Sequence, residues 1–595
     1  MTGLLLLTMA VPIALSLFWP WRTLRPLGRV LAPWAAAPAL VLALGYLAGP
    51  AVPVYTEIPT LLVGIRLGLD APGAAFLLLT ALLWLLAGAF AWRYHARDPR
   101  GDSFFGFFVL TLTGNLGLVL AQDLVSFYLF FALMTFSAYG LVIHRRDPTV
   151  IRAGRVYLTM AIAGELALLA GVLGLVVAGG GSVGLGSEME AVWTGLMAEP
   201  ATMPPSVPFA SPGFLAALLV AGFGVKAGLA PLHIWLPLAH PAAPTAASAL
   251  LSGVLIKAGL LGWLRVLPTE VAVPGVGECL FVVGAATALY AVVVGLCQDE
   301  AKTVLAYSSV SQMGYSAMAA GILVSDPALA PAALAAAVFF ALHHGLAKGA
   351  LFLSVGVGDR LQGPAALVDR RRRLLLLGSL LPALALAGAP FTTGAMVKTV
   401  LVNAGAGLTS VWSLALAPLF FVAAAGTTLL MARFLVTLDR RVRDAGRPDR
   451  GVSGLGTLWV PWGVLLGLVA TGPLWLPHAY APPETAGVPS VLYAPSAAWL
   501  PVLVGVAVAA AVFARPRVLG ALARLRIPPG DILVPVEALL RWMLAPPSQR
   551  GAGIRVRLRT RLAYLTRSGR PPARGAVFGL LILVVTLVLV TTLAR

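Results

Sequence analysis

The chain has 595 residues, of which 59% are hydrophobic and only 11% are charged. A water-soluble domain carries about 25% charged residues, so this composition excludes a soluble globular protein. The formal net charge of +19 does not indicate nucleic-acid binding, because the arginines lie in short segments between apolar runs, where membrane orientation explains them.

Apolar runs long enough to cross a bilayer, which takes about 20 helical residues, recur along most of the chain. They predict an all-α polytopic membrane protein with about sixteen transmembrane helices. The predicted helices lie at residues 2–20, 31–49, 72–92, 104–121, 122–144, 155–178, 213–237, 244–265, 278–298, 303–323, 331–357, 375–404, 410–437, 455–476, 497–514 and 575–593.

Arginine is concentrated in alternate connections between these helices. The basic connections contain Arg22, Arg25 and Arg29; Arg93, Arg97 and Arg100; Arg145, Arg146, Arg152 and Arg155; Arg370, Arg371, Arg372 and Arg373; and Arg440, Arg441, Arg443, Arg447 and Arg450. Connections on the other side, such as residues 179–212 and 477–496, contain neither lysine nor arginine. Because positive loops stay in the cytoplasm, we expect a bacterial inner (plasma) membrane protein with cytoplasmic basic connections and both chain termini outside.

The arginine-rich residues 515–574 alternate apolar and basic side chains. This pattern predicts an amphipathic segment on the cytoplasmic surface, broken at Pro528-Pro529 and Pro546-Pro547. A solvated basic linker is an equal alternative for residues 550–574.

Four lysines interrupt otherwise apolar helices: Lys226, Lys257, Lys348 and Lys398. A lysine at mid-membrane depth costs at least about 2.5 kcal/mol to insert. Burial disfavours the charged amine, so such a lysine can release a proton. The alternative is a lysine that snorkels to the interface or pairs to hold helices together, but recurrence on four helices favours proton transfer.

Histidines accompany these lysines. His344 lies one helical turn before Lys348, on the same face, where an imidazole can pass a proton to an amine through water. His343 points elsewhere and fits a packing role equally well. His240 and His233 lie near a helix break; His240 can connect the core to the cytoplasmic side, whereas His233 can equally cap backbone carbonyls.

Two of the lysine-bearing helices are interrupted. Gly228, Pro231 and Pro237 interrupt the predicted helix 213–237, and Pro390 and Gly394 interrupt the predicted helix 375–404. Broken helices at membrane depth commonly mark ion paths in transporters built from inverted repeats. We therefore expect two related halves.

No cofactor or metal is predicted. The chain has no phosphate-binding glycine loop, no paired CxxC motif and no histidine set with haem spacing. Cys279 and Cys297 have spacing that fits neither a metal knuckle nor a disulfide framework. We expect no catalytic centre in this chain, so any redox chemistry must reside in partner subunits.

Three long segments have distinctive amino-acid sequences. They read GVKAGLAPLHIWLPLAHPAAPTAASALLSGVLIKAGLLGWLR, DEAKTVLAYSSVSQMGY and HHGLAKGALFLSVG. In this order they resemble the large antiporter-like membrane subunits of respiratory complex I, of membrane-bound hydrogenase complexes and of Mrp-type cation/proton antiporters, over residues 70–405. Asp299 and Lys302 in the second segment match a pair in a connection of that family.

The resemblance implies a fold and roles for individual residues. The fold has inverted five-helix repeats, and in the longest members a lateral amphipathic helix that residues 515–574 resemble in shortened form. Lys226 matches the central lysine of the first half-channel, Lys257 the bridging lysine and Lys398 the exit residue of the second half-channel. His344 and Lys348 match the HAxxK pair of the family.

One departure from the family pattern concerns the partner of Lys226. The family usually has a glutamate in a sequence like FWELMxLSSY, and the matching FFALMTFSAY places Ala132 there. Glu165 on the next predicted helix lies at a similar depth, some 15 to 18 Å at ~1.5 Å per residue. We expect Glu165 to face Lys226 instead; the alternative is a carboxyl held protonated against backbone or serine.

These observations predict six segments. They are the N-terminal helices 1–103, a first antiporter-like repeat 104–265, a second repeat 278–437, two helices in 455–514, the surface arm 515–574 and a final helix 575–595.

The predicted function is that of a proton-translocating membrane subunit of a complex I-like or hydrogenase-like complex, embedded in lipid beside other membrane subunits. Protons would move along buried Lys, His and Glu side chains bridged by water. The alternatives are an Mrp-type antiporter subunit that also carries Na⁺, an energising subunit of an inorganic-carbon uptake complex, and a membrane scaffold that does not conduct.

Overall fold

The structure is a computed structural model that describes residues 1–49, 52–59, 64–181, 183–198, 211–361, 364–408, 412–445, 456–479, 495–515 and 527–533. The predicted final helix 575–593 and most of the predicted arm 515–574 lie outside the described residues.

The described residues form helices in three groups along the chain. The first group is α1 (Thr2–Ser16), α2 (Arg25–Leu31), α3 (Ala37–Ala48) and α4 (Ala71–Tyr94). The second is α5 (Gly101–Leu120), α6 (Leu124–Val142), α7 (Pro148–Ala178), α8 (Ser187–Ala198), α9 (Pro212–Ala227), α10 (Leu236–Ala242), α11 (Thr245–Leu250) and α12 (Lys257–Val266). The third is α13 (Val276–Leu296), α14 (Ala301–Ser325), α15 (Ala330–Gly358), α16 (Ala365–Ala387), α17 (Thr393–Gly405), α18 (Trp412–Ala445), α19 (Gly456–Ala479) and α20 (Pro495–Phe513).

Eleven spans within the described residues are long and apolar enough to cross a bilayer. This confirms an integral membrane protein built of helices, whereas the predicted count of sixteen is not confirmed. Helix α14 is not among the eleven, because it carries many polar side chains. It is buried along almost its whole length, so its polar groups face protein and not lipid.

Several of the helices begin at an aspartate that caps the first turn. Asp70, Asp123 and Asp147 each accept a hydrogen bond from the backbone N–H three residues on, at 2.7, 2.7 and 2.9 Å. Proline follows directly after Asp147 and near Asp70, and its fixed φ suits the first helical turn. These caps fix where α4, α6 and α7 enter the bundle.

Two helices are broken at mid-length. Helix α9 ends at Gly228 with φ 78°, and α16 ends at Gly388 with φ 85°, a left-handed conformation that glycine adopts without penalty. The chain then resumes as a 3₁₀ turn and α10 in one case, and as α17 in the other. The predicted helices 213–237 and 375–404 are therefore both interrupted, as expected. The second break lies at residues 388–392, around Pro390, whereas Gly394 lies inside α17.

Arg370 to Arg373 lie in the first turns of α16, which begins at Ala365. Their prediction as a connection is therefore wrong. The long arginine stem lets a guanidinium reach the polar interface from within the helix end, so such a helix extends past its apolar run.

Two secondary-structure elements were not predicted, and both lie on the side opposite the arginine-rich connections. A hairpin pairs β1 (Val54–Ile58) with β2 (Ile65–Leu69) in antiparallel register, and α8 lies within the connection 179–212. Single bridges tie Leu67 to Ala121 and Asp123 to Gly184. Where the structure describes the chain, the fold is thus helical with one small sheet rather than all-α.

Candidate functional site

The five lysines of the chain lie in α9, α12, α14, α15 and α17, and every other basic side chain apart from histidine is arginine. Lys226, Lys257, Lys302 and Lys348 are at most 5% exposed, and Lys398 is half-buried. Arginine stays protonated in proteins, whereas a buried lysine can give up its proton. The two residue types are therefore divided between fixed charge at the membrane surface and titratable charge in the core.

Lys226 ends the first half of the broken helix, just before Gly228. Its Nζ donates to Thr135 Oγ1 on α6 at 3.0 Å and lies 5.7 Å from the centre of the Phe131 ring. The buried Glu165 of α7 lines the same small cavity, of about 10 Å³. The two charged groups share this cavity without forming a direct ion pair, and the space between them suits about one water molecule.

Thr135 is a residue that the sequence analysis missed. It lies three residues after Ala132, and so on nearly the same face of α6. Its hydroxyl accepts from Lys226 and lies close to the Glu165 carboxylate. The signal in the sequence is a polar residue one turn beyond the position where the family carries glutamate.

Helix α12 packs directly against the end of α9. A side chain at Gly259 would lie 2.5 Å from the Phe223 carbonyl oxygen and 2.8 Å from the Ala227 nitrogen. Only glycine permits this approach, which brings the helix that begins at Lys257 against the helix that carries Lys226.

A π-helical segment, Leu251–Leu255, precedes Lys257. Such segments leave backbone carbonyls without their usual helical partners, and Lys257 Nζ donates to the carbonyl of Ser252. The Ser252 hydroxyl is 2.7 Å from that of Ser309 on α14. Irregular backbone and hydroxyl groups therefore surround the central amine.

His344 and Lys348 lie on α15, fully enclosed by protein. Lys348 Nζ donates to the carbonyl of Leu305 on α14 at 2.9 Å. His344 stacks on Phe340 at 5.6 Å, and neither of its ring nitrogens has a hydrogen-bond partner among the described residues. Lys257 and Lys348 are both within electrostatic range of His344, so the three groups form one cluster.

His343 and Lys398 meet at the second helix break. His343 Nδ1 is 2.7 Å from the hydroxyl of Thr393, the first residue of α17. Lys398 Nζ donates at 2.6 Å to the carbonyl of Ala387, at the free end of α16. The ammonium thus lies at the negative end of a helix dipole.

A cavity of about 660 Å³ opens on the side of the arginine-rich connections. We call it the vestibule. Its lining comes from residues 93–99, 144–145, 241, 243–245 and 359–360, and from Glu300, Lys302, Arg441 and Leu458. Lys302 Nζ donates to the carbonyl of Ala243 at 2.8 Å. His240 lies beneath, stacked on Phe352 at 4.6 Å, within electrostatic range of Lys302, Lys348 and Lys257.

Asp299 lies apart from Lys302. Its carboxylate accepts from the guanidinium of Arg433 on α18 at 2.7 Å and is more than half exposed. Among the described residues, the acidic groups that act on Lys302 electrostatically are Glu300 and Asp359. The structure therefore does not bring the predicted Asp299 and Lys302 pair together.

His233 has a carboxylate neighbour that the sequence analysis missed. Its Nε2 is 3.4 Å from Asp531 Oδ1, and Tyr290 donates to the other carboxylate oxygen of Asp531. Both His233 and Asp531 are fully buried. Asp531 belongs to the described stretch 527–533 of the predicted surface arm, so this stretch enters the bundle instead of lying on the surface.

One group of donors in the described part is compact enough to bind a metal ion: His95, Asp98 and His144 at the rim of the vestibule. The hydrogen bond from His95 holds the pKa of the Asp98 carboxyl well below its usual range. Burial lowers the pKa of His95. No local sequence pattern marks this group, because its members come from two separate connections.

The family model described as "NADH:quinone oxidoreductase/Mrp antiporter, TM" matches residues 121–425, just over half of the chain. Hydrogenase-4 component B of Escherichia coli is 34% identical over 303 residues, which are 49% of this chain and 43% of that protein. NADH-quinone oxidoreductase subunit N of Desulforudis audaxviator is 31% identical over 351 residues, 57% and 66% of the two chains.

A solved structure of the Mrp complex from Dietzia sp. DQ12-45-1b shares the fold, with a TM-score of 0.72 at 24% identity over 99% of this chain and 63% of that one. The chain spans less than half the length of hydrogenase-4 component B. The resemblance drawn from the sequence motifs is confirmed by these matches.

Proposed function

Because this chain belongs to the NADH:quinone oxidoreductase/Mrp antiporter family of membrane proteins, we propose that it is a proton-translocating subunit of a complex I-like or hydrogenase-like membrane complex. The observation that carries the proposal is the confinement of every lysine to helices that pack in succession, α9, α12, α14, α15 and α17, with four of the lysines buried. Each buried charge is costly, and no structural need accounts for lysine instead of an apolar residue at all of these positions.

The proposed route begins at the vestibule. Protons enter past Lys302 to His240, which lies within electrostatic range of Lys257 and Lys348. They then pass through His344 and His343 toward Lys398 at the second helix break. The ring nitrogens of His240 and His344 have no protein partner among the described residues, which leaves them available to bind water as the carrier between side chains.

The proposed switch is the pair of Glu165 and Lys226. When the carboxylate approaches, it stabilises the ammonium of Lys226; when it moves away, the ammonium is left buried beside Phe131 and passes its proton toward Lys257. Thr135 can couple the two members of this pair, because its hydroxyl accepts from Lys226 and can turn its own hydrogen toward Glu165. The broken helix supplies the movable segment.

We also propose that the basic side faces the cytoplasm, and that α5–α12 and α13–α18 contain the two inverted repeats. The broken helices support this arrangement, since α9 enters from the side without arginine and α16 enters from the basic side. Opposite directions at equivalent breaks are expected of inverted repeats.

The proposed partners are further membrane subunits. Hydrogenase-4 and NADH-quinone oxidoreductase relatives are by name components of larger assemblies, and this chain has no cofactor motif with which to drive transport by itself. Identification of the polypeptides that purify with it in mild detergent tests this. A redox enzyme among them supports the proposal, whereas a carbon dioxide hydration module would instead favour the inorganic-carbon uptake alternative.

Proton flux into proteoliposomes tests the function. The purified complex is reconstituted with an internal pH-sensitive dye, and a potassium diffusion potential drives the flux. We expect acidification of the lumen that does not require Na⁺ and that Lys348→Met abolishes. Dependence of the flux on a Na⁺ gradient would assign the chain to cation/proton exchange, and absence of flux in the wild type would favour a scaffold.

A further inference from the structure

We propose that His95, Asp98 and His144 form a binding site for a divalent transition metal of the Zn²⁺ class at the rim of the vestibule. His95 and Asp98 belong to the connection between α4 and α5, and His144 to the connection between α6 and α7. Two imidazole nitrogens and one carboxylate oxygen are the donors that Zn²⁺ takes when it keeps one position open to water.

The donor atoms converge on one point. His95 Nδ1 and His144 Nε2 each lie 2.7 Å from the same oxygen of Asp98, and all three donor atoms are within 4.8 Å of one another. Tetrahedral Zn²⁺ with bonds of about 2.1 Å needs its donors about 3.4 Å apart. Shifts of roughly 1 Å in the donor positions would therefore admit the ion.

The neighbouring groups hold the donors in place. The second carboxylate oxygen of Asp98 accepts the backbone N–H of Arg100 at 2.9 Å, which leaves the first oxygen for the ion. Phe104 stacks on the His95 ring at 4.4 Å and meets the His144 ring edge-on at 5.5 Å. These ring contacts restrict the orientation of both imidazoles, and the vestibule provides a path for entry.

The positive charge around the site repels a cation, and metal binding here should therefore have a distinctive dependence on ionic strength. Arg93, Arg97, Arg145 and Arg360 line the vestibule, while Arg441 is paired with Asp359 and Glu300. Salt screens this repulsion. Binding at this site should therefore tighten as ionic strength rises, whereas adventitious binding to exposed carboxylates should weaken.

A bound ion would link the two connections at the mouth of the vestibule and slow proton entry. This consequence rests on the proposed function, but binding does not. The experiment therefore measures binding directly, by titrating Co²⁺ into the detergent-purified complex, following its visible absorption, and then displacing it with Zn²⁺.

We expect one ion per chain, with affinity at least about tenfold weaker in Asp98→Asn and His144→Gln. Asp102→Asn, in the first turn of α5, is the matched control and should leave binding unchanged. His144→Cys should retain binding and add a sulfur-to-cobalt charge-transfer band, which also guards against variants that merely misfold. An adventitious ion only, seen as binding that the Asp98 and His144 variants do not weaken, would overturn the proposal. The absence of saturable binding would also overturn it.

Discussion

The Glu165 and Lys226 pair gives the sharpest prediction. A cavity that suits about one water molecule joins the two groups, and one bridging water places carboxylate and ammonium about 5.6 Å apart. With an effective dielectric constant of about 20, Coulomb's law gives roughly 3 kcal/mol of attraction. This corresponds to about a hundredfold change in the balance between charged and neutral Lys226.

Glu165→Gln removes this attraction while keeping the shape of the side chain. We expect the initial rate of dye-reported proton flux per complex to fall by about tenfold to a hundredfold. Glu165→Asp should give a rate between that of the wild type and that of Glu165→Gln. The control is Glu278→Gln, which makes the same change at an exposed glutamate on α13. A flux for Glu165→Gln equal to that of the control would refute the proposed switch.

Four further outcomes follow from the contacts. Thr135→Val should slow proton flux by about tenfold while Thr135→Ser preserves it, because only the hydroxyl couples Lys226 to Glu165; equal loss in both would indicate packing instead. Asp531→Asn should lower the free energy of unfolding in mild detergent by about 1–3 kcal/mol, since it weakens the buried contacts to His233 and Tyr290, and an unchanged unfolding midpoint would contradict that contact. Gly259→Ala should destabilise the protein by about 1–3 kcal/mol through overpacking against α9, whereas Gly213→Ala, which has open space around it, should not. The backbone N–H of Gly184 and the nearby Arg66 lower the pKa of Glu188 below 4.5, so its small stabilisation is present above that pH and is lost as pH falls through the lowered value; Glu188→Gln should remove this acid-side loss in unfolding measured against pH.

Much of the fold was accessible from the sequence, because apolar length and arginine placement report directly on bilayer depth. Both helix breaks were also predictable, since Gly228 and the Pro390 region carry local signals. The start of α16 was less predictable, because the helix continues through Arg370 to Arg373 beyond the apolar run. The hairpin β1–β2 was missed for a similar reason: ten strand residues give little pattern beside long helices.

The lysines and histidines of the core could be identified from their position in apolar helices. The residues that they contact could not. Asp531 lies about 300 residues from His233 in the chain, and no local pattern of the kind that marks helices links them. Thr135 was missed for the opposite reason, since a single hydroxyl in an apolar helix is unremarkable until Lys226 is seen to donate to it. Tertiary packing decides which polar residues meet.

The central claim, that water reaches the buried amines and exchanges protons with them, can be tested by solid-state NMR of the complex labelled with ¹⁵N-lysine in this chain. Because the chain has only five lysines, single Lys→Met variants assign every Nζ signal. We predict magnetisation transfer from water to Nζ of Lys226, Lys257, Lys348 and Lys398 in lipid bilayers. Signals for these four that receive no transfer from water would contradict the account.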